Sequence, residues 1–463
     1  MNFSREFGLS PQVIEKDFTL GWLLAGIAAH PVIGKSWAFK GGTCLKKCYF
    51  ETYRFSEDLD FTLTNPEHLT EVFLLETFKQ ISDWIYENSG IEIPTDTILF
   101  DVYENPRGKN SVQGRVGYRG PMQRRGDVPR IKLDLTDDEV LVLEPVMREV
   151  HHPYSDRPAA GIHALCYGFE EVFAEKMRAL AERERPRDLY DVVHLYRREG
   201  LNPDRSLILD TLAKKCQFKN IDVPTMDILT NQPQREDLEA DWENMLAHQL
   251  PVLPAFQQFW DELSNVFDWL HEVKEKEVFA EVPNVGRVAI DKSWSPPPMA
   301  QAWNAGVPLE IIRFAAANRL CIDLEYKDEH RIIEPYSLRR TQDGNILLHA
   351  VRHEDGQPRS YRVDRIQGAA ATDISFSPRY AIELTASGIL QIPETERTSI
   401  GSVSGFSGRQ MRSRSTGPTY VVECSYCGKT FRRKNNTTTL RSHKDKSGYA
   451  CSGRHGYLVD TIY

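Results

Sequence analysis

The spacing of apolar residues predicts helices and strands in the first third of the chain. Residues 11–30 and 67–90 place apolar side chains at helical intervals, and Gly90 supplies a stop for the second helix. The segments LDFTL (59–63) and RIKLDLTDDEVLV (130–142) instead alternate between apolar and polar positions, as strands do. We therefore expect an α+β domain in which helices flank a mixed sheet.

The pattern changes further along the chain. Residues 167–200 are again helical, and Pro186 should divide them into two helices. Later, short apolar runs separated by the turns Asp343-Gly344 and Asp355-Gly356 predict a small β-barrel or sandwich. The predicted order is an α+β domain, a linker, a β-barrel, a flexible linker and a C-terminal module, at residues 1–265, 266–304, 305–395, 396–418 and 419–463.

Charge, hydrophobicity and cysteine placement exclude several classes of protein. A formal net charge of −9 argues against a chain that coats nucleic acid through bulk charge. No apolar run is long enough to span a bilayer, and the first residues lack the apolar core of a signal peptide. We therefore expect a cytoplasmic protein that does not bind a membrane. Five of the eight cysteines are scattered and are expected to be free thiols.

Two aspartates lie at the beginning of the strand LDFTL, one directly before it and one within it. Asp58 and Asp60 are two positions apart, so on a strand both carboxylates point to the same face. Their repulsion would be relieved by a divalent cation, and hard oxygen ligands suit Mg²⁺. Asp134, between Leu133 and Leu135, is expected to be a buried third carboxylate. Upstream, glycines at positions 41 and 42 allow the backbone to approach a phosphate closely.

Three segments in this order resemble the AbiEii/MenT-type nucleotidyltransferases, which are toxins of bacterial toxin–antitoxin and phage-defence systems within the DNA polymerase β-like superfamily. They are IEKDFTLGWLL (14–24), FKGGTCLKKCYFETYRFSEDLDF (39–61) and FEEVFAEKMRALAERERPRDLYDVVHLY (169–196). The resemblance implies that Asp58 and Asp60 bind metal, with Asp134 as third carboxylate. It also implies that the nucleotide phosphates are contacted by Gly41, Gly42, Thr43 and Lys176.

Several of these residues have alternative roles. Lys176 either contacts the triphosphate or pairs with Glu171 or Glu175 on its own helix. Asp191 either orients or deprotonates the acceptor, or serves as a structural partner of an arginine, Arg187 or Arg54. Arg54 and Ser56 flank the strand and either contact the nucleotide or brace the turn.

The middle segment resembles the WYL domain, a small Sm/SH3-like β-barrel of bacterial regulators and defence proteins. The similar pieces are RIIEPYSL (331–338) and RSYRVDRIQ (359–367), while ILL stands at the eponymous Trp-Tyr-Leu positions 346–348. The resemblance implies a ligand-sensing or nucleic-acid-binding module. Its predicted polar face consists of Arg331, Arg339, His349, Tyr361, Arg362 and Arg365.

The C-terminal module carries metal-binding residue types. Cys424, Cys427, His443 and Cys451 form a set that suits tetrahedral Zn²⁺, and His455 is an alternative to His443. The segment YVVECSYCGKTF (420–431) resembles the first half of a C2H2 finger. Residues 419–463 hold eight Lys or Arg against three Asp or Glu, which favours contact with nucleic acid such as a structured RNA, with protein docking as the competing use.

Together these features predict a Mg²⁺-dependent nucleotidyltransferase with structural Zn²⁺. The family resemblance suggests that it moves a nucleotide from an NTP to RNA, for example the 3′ end of tRNA, as a toxin or phage-defence effector with a cognate antitoxin. The alternative is a non-catalytic regulator that binds nucleic acid or a nucleotide through its WYL-like and zinc modules.

Overall fold

The computed structural model describes residues 10–50, 54–105, 107–123, 128–158, 160–197, 203–233, 235–286, 288–294, 309–384, 419–424, 427, 429–433, 437–440, 443–444, 450–451, 453 and 455–462. The chain divides into two units, Met1–Pro393 and Glu394–Tyr463. The predicted linker 396–418 lies outside the described residues. Among the helices that are described, none combines the length and apolar character that crossing a membrane requires.

The helices of the first unit are α1 Pro11–Ala29, α2 Gly41–Cys44, α3 Glu71–Ser89, α4 Phe169–Arg183, α5 Pro186–Arg197, α6 Arg205–Lys219, α7 Met226–Asn231, α8 Arg235–Ala240, α9 Trp242–Leu246, α10 Phe256–Leu270 and α11 Leu309–Asn318. Its strands are β1 Trp37–Lys40, β2 Asp58–Leu63, β3 Leu99–Glu104, β4 Asn110–Gly117, β5 Arg130–Thr136, β6 Val146–Glu149, β7 His163–Cys166, β8 Leu320–Tyr326, β9 Glu329–Arg340, β10 Ile346–Arg352, β11 Pro358–Arg362 and β12 Ile366–Ser375. The second unit contains β13 Thr419–Cys424, β14 Thr430–Arg433, β15 His443–Lys444, β16 Ala450–Cys451 and β17 Gly456–Ile462.

A seven-stranded mixed sheet forms the centre of the N-terminal region, in the order β3-β4-β5-β2-β1-β7-β6. Strand β2 runs parallel to β5 and antiparallel to β1. Alternate residues such as Leu59, Phe61 and Leu133 are buried because they point into the core between the sheet and the flanking helices. This arrangement confirms the predicted mixed sheet with flanking helices.

The predicted helix boundaries are largely confirmed. Helix α3 ends where Gly90 adopts a left-handed conformation (φ 73°) and closes the last turn. Pro186 begins α5, where its missing N–H costs no helical hydrogen bond. The break between α4 and α5 therefore lies where the sequence places it.

A five-stranded antiparallel sheet follows, in the order β11-β10-β9-β8-β12. Within residues 309–384 no pairing between β11 and β12 closes it, so the predicted barrel is not confirmed. Residues of the predicted linker 266–304 contact this sheet: Asp291 forms an ion pair with Arg340 at 2.5 Å, and the Asp291 N–H donates to the Arg340 carbonyl at 2.8 Å.

The WYL-like sheet is joined to the N-terminal region through helix α5. The Tyr190 hydroxyl donates to Asn318 Oδ1 at 2.9 Å, and His194 Nε2 lies 3.3 Å from the same oxygen. On α10, Glu262 pairs with Arg197 at 2.8 Å and with Arg319 at 2.7 Å. Because most of these groups are buried, breaking the contacts would leave polar atoms unsatisfied.

The second unit contains two small sheets, of order β14-β13-β17 and β15-β16. Its described core consists of Val422, Cys424, Leu440 and Cys451. A core of so few apolar side chains contributes little stability. Modules of this size usually need a covalent or metal crosslink to fold.

Candidate active site and metal centres

Strand register places the predicted carboxylates on one face of the sheet. Asp60 on β2 is paired with Asp134 on β5 and with Lys40 on β1. Paired residues on adjacent strands project to the same face, and Asp58 shares that face because it lies two positions before Asp60. The structure thus brings the three carboxylates, which are up to 76 residues apart in the printed sequence, onto one surface.

Burial and mutual repulsion disturb the ionisation of this set. Burial and the charge of Asp134, with a smaller effect from Asp58, raise the pKa of Asp60 to about 6 against the opposing charges of Lys40 and Lys176. The pKa of Asp134 is also raised, by desolvation of its carboxyl group among the neighbouring side chains and by the charge of Asp58. One expectation was wrong: Asp134 is exposed at the sheet surface, since only its neighbours Leu133 and Leu135 point into the core.

The turn before these strands is shaped by its glycines. Gly41 has φ 78°, and a Cβ atom built on it would lie 1.9 Å from Asp60 Oδ2. A Cβ on Gly42 would lie 2.4 Å from an Arg54 nitrogen. The Thr43 hydroxyl donates to the Asp58 carbonyl oxygen at 2.5 Å. A side chain at position 41 would therefore displace Asp60, and one at position 42 would displace Arg54.

Lys176 and Asp191 form a buried ionic network with Arg54. Lys176 Nζ lies 2.7 Å from Asp191 and 3.4 Å from Asp188, rather than pairing with Glu171 or Glu175. Arg54 donates two hydrogen bonds to Asp191, at 2.8 and 2.9 Å, and a third to Gln249. Although burial opposes it, Arg54 and Lys176 hold the pKa of Asp191 well below its usual range. Asp191 is thus a poor base, and this geometry favours bracing roles for Asp191 and Arg54.

Two cations lie near the carboxylates without having been assigned to the site: Lys40, and Arg187, which the sequence prediction named only as an alternative partner of Asp191. Lys40 ends β1, is half-buried, and acts electrostatically on both Asp60 and Asp134. Among the described residues, Arg187 Nε is buried with no hydrogen-bond partner. Burial and the charge of Arg54 lower the pKa of Arg187, and Asp58 opposes that shift. The position of Lys40 directly before Gly41 was the sequence signal that could have identified it as a site residue. The predicted residue Ser56 is half-buried in the loop before β2.

The donor set fits a hard divalent cation. Carboxylate oxygens are the ligands that Mg²⁺ prefers, and a cation would relieve the repulsion that raises the pKa of Asp60. Among the described residues, only two cysteine-containing groups gather three or more candidate ligand atoms within 4.8 Å of one another. The carboxylates are therefore more widely spaced, and closing on an ion would require side-chain rotation.

The predicted polar face of the WYL-like sheet is divided. His349 is paired with Ser337 and Ser360, whereas Tyr361 is paired with Leu348 and therefore lies on the opposite face. His349 and Tyr361 are both buried. Arg331 and Arg362 form ion pairs with residues two positions away, and Arg339 pairs with the more distant Glu383. Strand alternation explains the error. Tyr361 is paired with Leu348, the residue directly before His349, and consecutive residues of a strand point to opposite faces.

The C-terminal cluster brings together the four predicted zinc ligands. The ligand atoms of Cys424, Cys427, His443 and Cys451 lie within 4.8 Å of one another. Cys424 and Cys451 have sulfurs 3.9 Å apart, and Cys427 Sγ lies 3.4 Å from His443 Nε2. The alternative ligand His455 is exposed and is not in this group. Three sulfurs and one imidazole nitrogen match the chemistry of a closed structural Zn²⁺ site.

Solved structures provide distant comparisons. MenT4, a nucleotidyltransferase toxin from Mycobacterium tuberculosis H37Rv, is 18% identical over 59% of this chain and 89% of its own, with a TM-score of 0.42. JHP933 from Helicobacter pylori is 17% identical over 57% of this chain and 94% of its own, with a TM-score of 0.37. No curated protein sequence matches. Because these scores are low, the assignment of the chain does not depend on them.

Family models match three consecutive segments. The model for the BED zinc finger matches residues 416–443, and that for the WYL domain matches residues 308–371. A third model matches residues 22–269 and is described as nucleotidyl transferase AbiEii toxin, type IV toxin–antitoxin system. This match covers more than half of the chain and includes the carboxylate face and the Gly41 turn. The chain belongs to the AbiEii family of nucleotidyltransferase toxins and carries a WYL domain and a BED-type zinc finger after the transferase region.

Proposed function

We propose that this enzyme transfers a nucleoside monophosphate from an NTP to an RNA hydroxyl and acts as a toxin. The observation that carries the proposal is the pairing of Asp60 with Asp134 beside the Gly41 turn. That surface combines carboxylates that could bind a metal ion with backbone at Gly41 and Gly42 that a phosphate group could approach closely. An NTP triphosphate needs both features within one site.

In this proposal Asp58, Asp60 and Asp134 hold Mg²⁺. The bound ion would neutralise charge that develops on the transferred phosphoryl group. The side chains of Lys40 and Arg187 add positive charge at the same face and are suited to phosphate oxygens. Arg54, Lys176 and Asp191 hold α4 and α5 against the turn, so these residues position the phosphate-binding groups.

The attacking group is an acceptor hydroxyl, and pyrophosphate leaves from the NTP. The excess of basic residues in 419–463 supports recruitment of an RNA acceptor, of which the 3′ end of tRNA is one candidate. We further propose that a separate antitoxin restrains the enzyme, in keeping with the type IV family description, and that it works in the cytoplasm, where NTPs and RNA are found.

The test is labelling of RNA by the full-length enzyme. Each α-labelled NTP is incubated with Mg²⁺ and total bacterial RNA, and labelled species are separated on a denaturing gel. Wild type should label one RNA class, and the Asp58→Ala, Asp60→Ala double variant should not. Asp101→Ala is the matched control, because Asp101 is an exposed carboxylate on the edge strand β3. Equal labelling by wild type and the double variant would refute the proposal.

One observation favours an additional sensing role for the WYL domain. Ser337, His349 and Ser360 form a row across β9, β10 and β11. Within the described part of the chain, Ser337 Oγ, His349 Nε2 and Ser360 Oγ are buried without a hydrogen-bond partner. Unsatisfied buried groups in a row are suited to a small polar ligand. A purely regulatory protein would bind such a ligand yet label no RNA in the same assay.

A further inference from the structure

Three buried cysteines meet directly behind the Gly41 turn. Cys44 ends α2, Cys48 lies in the π-helical turn Leu45–Tyr49, and Cys166 ends β7. Their sulfur atoms all lie within 4.8 Å of one another, and Cys48 and Cys166 are 3.5 Å apart. All three residues are fully buried. The cluster is separate from the C-terminal zinc ligands and from the carboxylate face.

We propose that Cys44, Cys48 and Cys166 form a three-coordinate thiolate site for a soft metal ion, either Cu⁺ or Zn²⁺. Thiolates prefer such ions to Mg²⁺. Three sulfurs at about 2.3 Å from a central ion would be separated by about 4 Å. The observed sulfur spacing reaches that triangle with small side-chain movements.

The local backbone also fits a binding site. Cys44 and Cys48 are four residues apart, so a helical turn places them on the same face. The Phe50 N–H closes the π-helical turn by donating to the Leu45 carbonyl at 2.7 Å. Such turns are rare and occur mainly at functional sites. Cys166 comes from a strand paired with β1 at Phe39, so the third sulfur is fixed by the sheet.

Nearby positive charge would stabilise thiolates in this buried position. The Arg148 side chain donates to the Cys48 carbonyl at 3.0 Å, and its guanidinium stacks on Tyr49. Binding of an ion at these sulfurs would release the thiol protons to solvent.

Such an ion would tie α2 to β7. Since α2 begins at Gly41, the site would brace the turn that contacts Asp60. Simple core packing of three small thiols is the competing explanation, because free cysteine is often fully buried. The two explanations differ in whether the folded protein takes up one thiophilic ion at these sulfurs.

The experiment uses the full chain with Cys424→Ser, Cys427→Ser and Cys451→Ser, so that the C-terminal sulfurs do not contribute. Cd²⁺ is added under reducing conditions without competing thiols until the ultraviolet sulfur-to-cadmium charge-transfer absorbance stops changing. We expect one thiolate-bound equivalent and a higher unfolding midpoint, because an ion that binds only the folded state stabilises it. Absence of the band in this folded background overturns the proposal.

Variants and titrations with other ions then locate and identify the site. Adding Cys48→Ala should abolish the band, whereas Cys216→Ala, which removes a buried thiol on α6 outside the cluster, should leave it unchanged. A band that survives Cys48→Ala with circular dichroism unchanged would refute the assignment. In separate titrations of the metal-free protein, retention of one equivalent of Cu⁺ or of Zn²⁺ after desalting identifies the ion. Retention of neither ion overturns the proposal.

Discussion

Gly41 and Asp60 are in such close contact that a single methyl group cannot be placed between them. The Gly41 backbone has φ 78°, and its Cβ position is 1.9 Å from Asp60 Oδ2. This distance links the turn sequence to the carboxylate geometry, since any larger residue at position 41 must displace the Asp60 carboxylate from its place beside Asp134.

Gly41→Ala should therefore inactivate the enzyme. Displacement of a catalytic group by about 1 Å costs on the order of 100-fold in rate, and alanine at positive φ adds about 1–2 kcal/mol of strain. The readout is the rate of RNA labelling together with the free energy of unfolding in urea.

Gly90→Ala is the matched control for that variant. Gly90 has nearly the same φ, 73°, but among the described residues no heavy atom beyond its own helix and chain neighbours lies within 4 Å of its Cβ position. It should show the same backbone strain with labelling unchanged. If both variants label RNA at the wild-type rate, the steric argument for position 41 is wrong.

Mg²⁺ binding should weaken as the pH falls through 6. Asp60 has a pKa of about 6 in the metal-free protein, so protons compete with the ion below that value. A group with this pKa is about 90% protonated at about pH 5, which predicts an affinity about tenfold lower than at about pH 7.5. Calorimetry in buffers of different ionisation enthalpy should show protons released at the lower pH only. Equal affinity at the two pH values would contradict the prediction.

The raised pKa of Asp60 affects stability in the opposite direction, because low pH weakens Mg²⁺ binding but stabilises the metal-free fold. Because the folded protein binds the Asp60 proton more tightly than the unfolded chain does, the metal-free protein should lose stability as pH rises from 3.8 to about 6. Saturating Mg²⁺ should reverse this loss above that window, which urea unfolding with and without the ion will detect.

Asp191→Asn should act mainly on stability. Asparagine would leave the buried cations Arg54 and Lys176 short of one countercharge, at a cost of about 3–5 kcal/mol. Chemical denaturation of the full chain measures the change. Glu92→Gln is the control, because Glu92 forms an exposed pair with Arg119 that contributes about 1 kcal/mol or less. Loss of labelling with unchanged stability would instead identify Asp191 as a catalytic base.

The two candidate histidines of the zinc finger can be separated by metal content. His443→Ala should lose one equivalent of Zn²⁺, because His443 Nε2 lies beside Cys427 Sγ. His455→Ala should retain it, since His455 is exposed and outside the ligand group. Inductively coupled plasma mass spectrometry of the purified proteins decides between them. The reverse pattern would assign His455 as the ligand.

Local sequence patterns predict much of the site. The period of two places Asp58 and Asp60 on one strand face, and the Gly41-Gly42 pair indicates a close approach of backbone. By contrast, Lys176 pairs with Asp188 and Asp191 only because α5 folds back beside α4 after Pro186, and local spacing does not reveal that packing.

Strand pairing accounts for the remaining differences. The exposure of Asp134 depends on which side of β5 faces the core, and the separation of His349 from Tyr361 depends on the register of β10 and β11. Similarly, Cys166 reaches Cys48 across 118 residues of sequence. Contacts of that range follow from tertiary structure, which a single sequence does not specify residue by residue.

The hydrogen bond from Tyr190 to Asn318 has a thermodynamic consequence. Tyr190 and Asp191 are consecutive residues of α5, so one helix contacts both the WYL domain and the network around Lys176. Suppose that a ligand of the WYL domain shifts Asn318 and, through α5, changes the affinity of the proposed NTP substrate by some factor. By linkage, the NTP must then change the affinity of that ligand by the same factor.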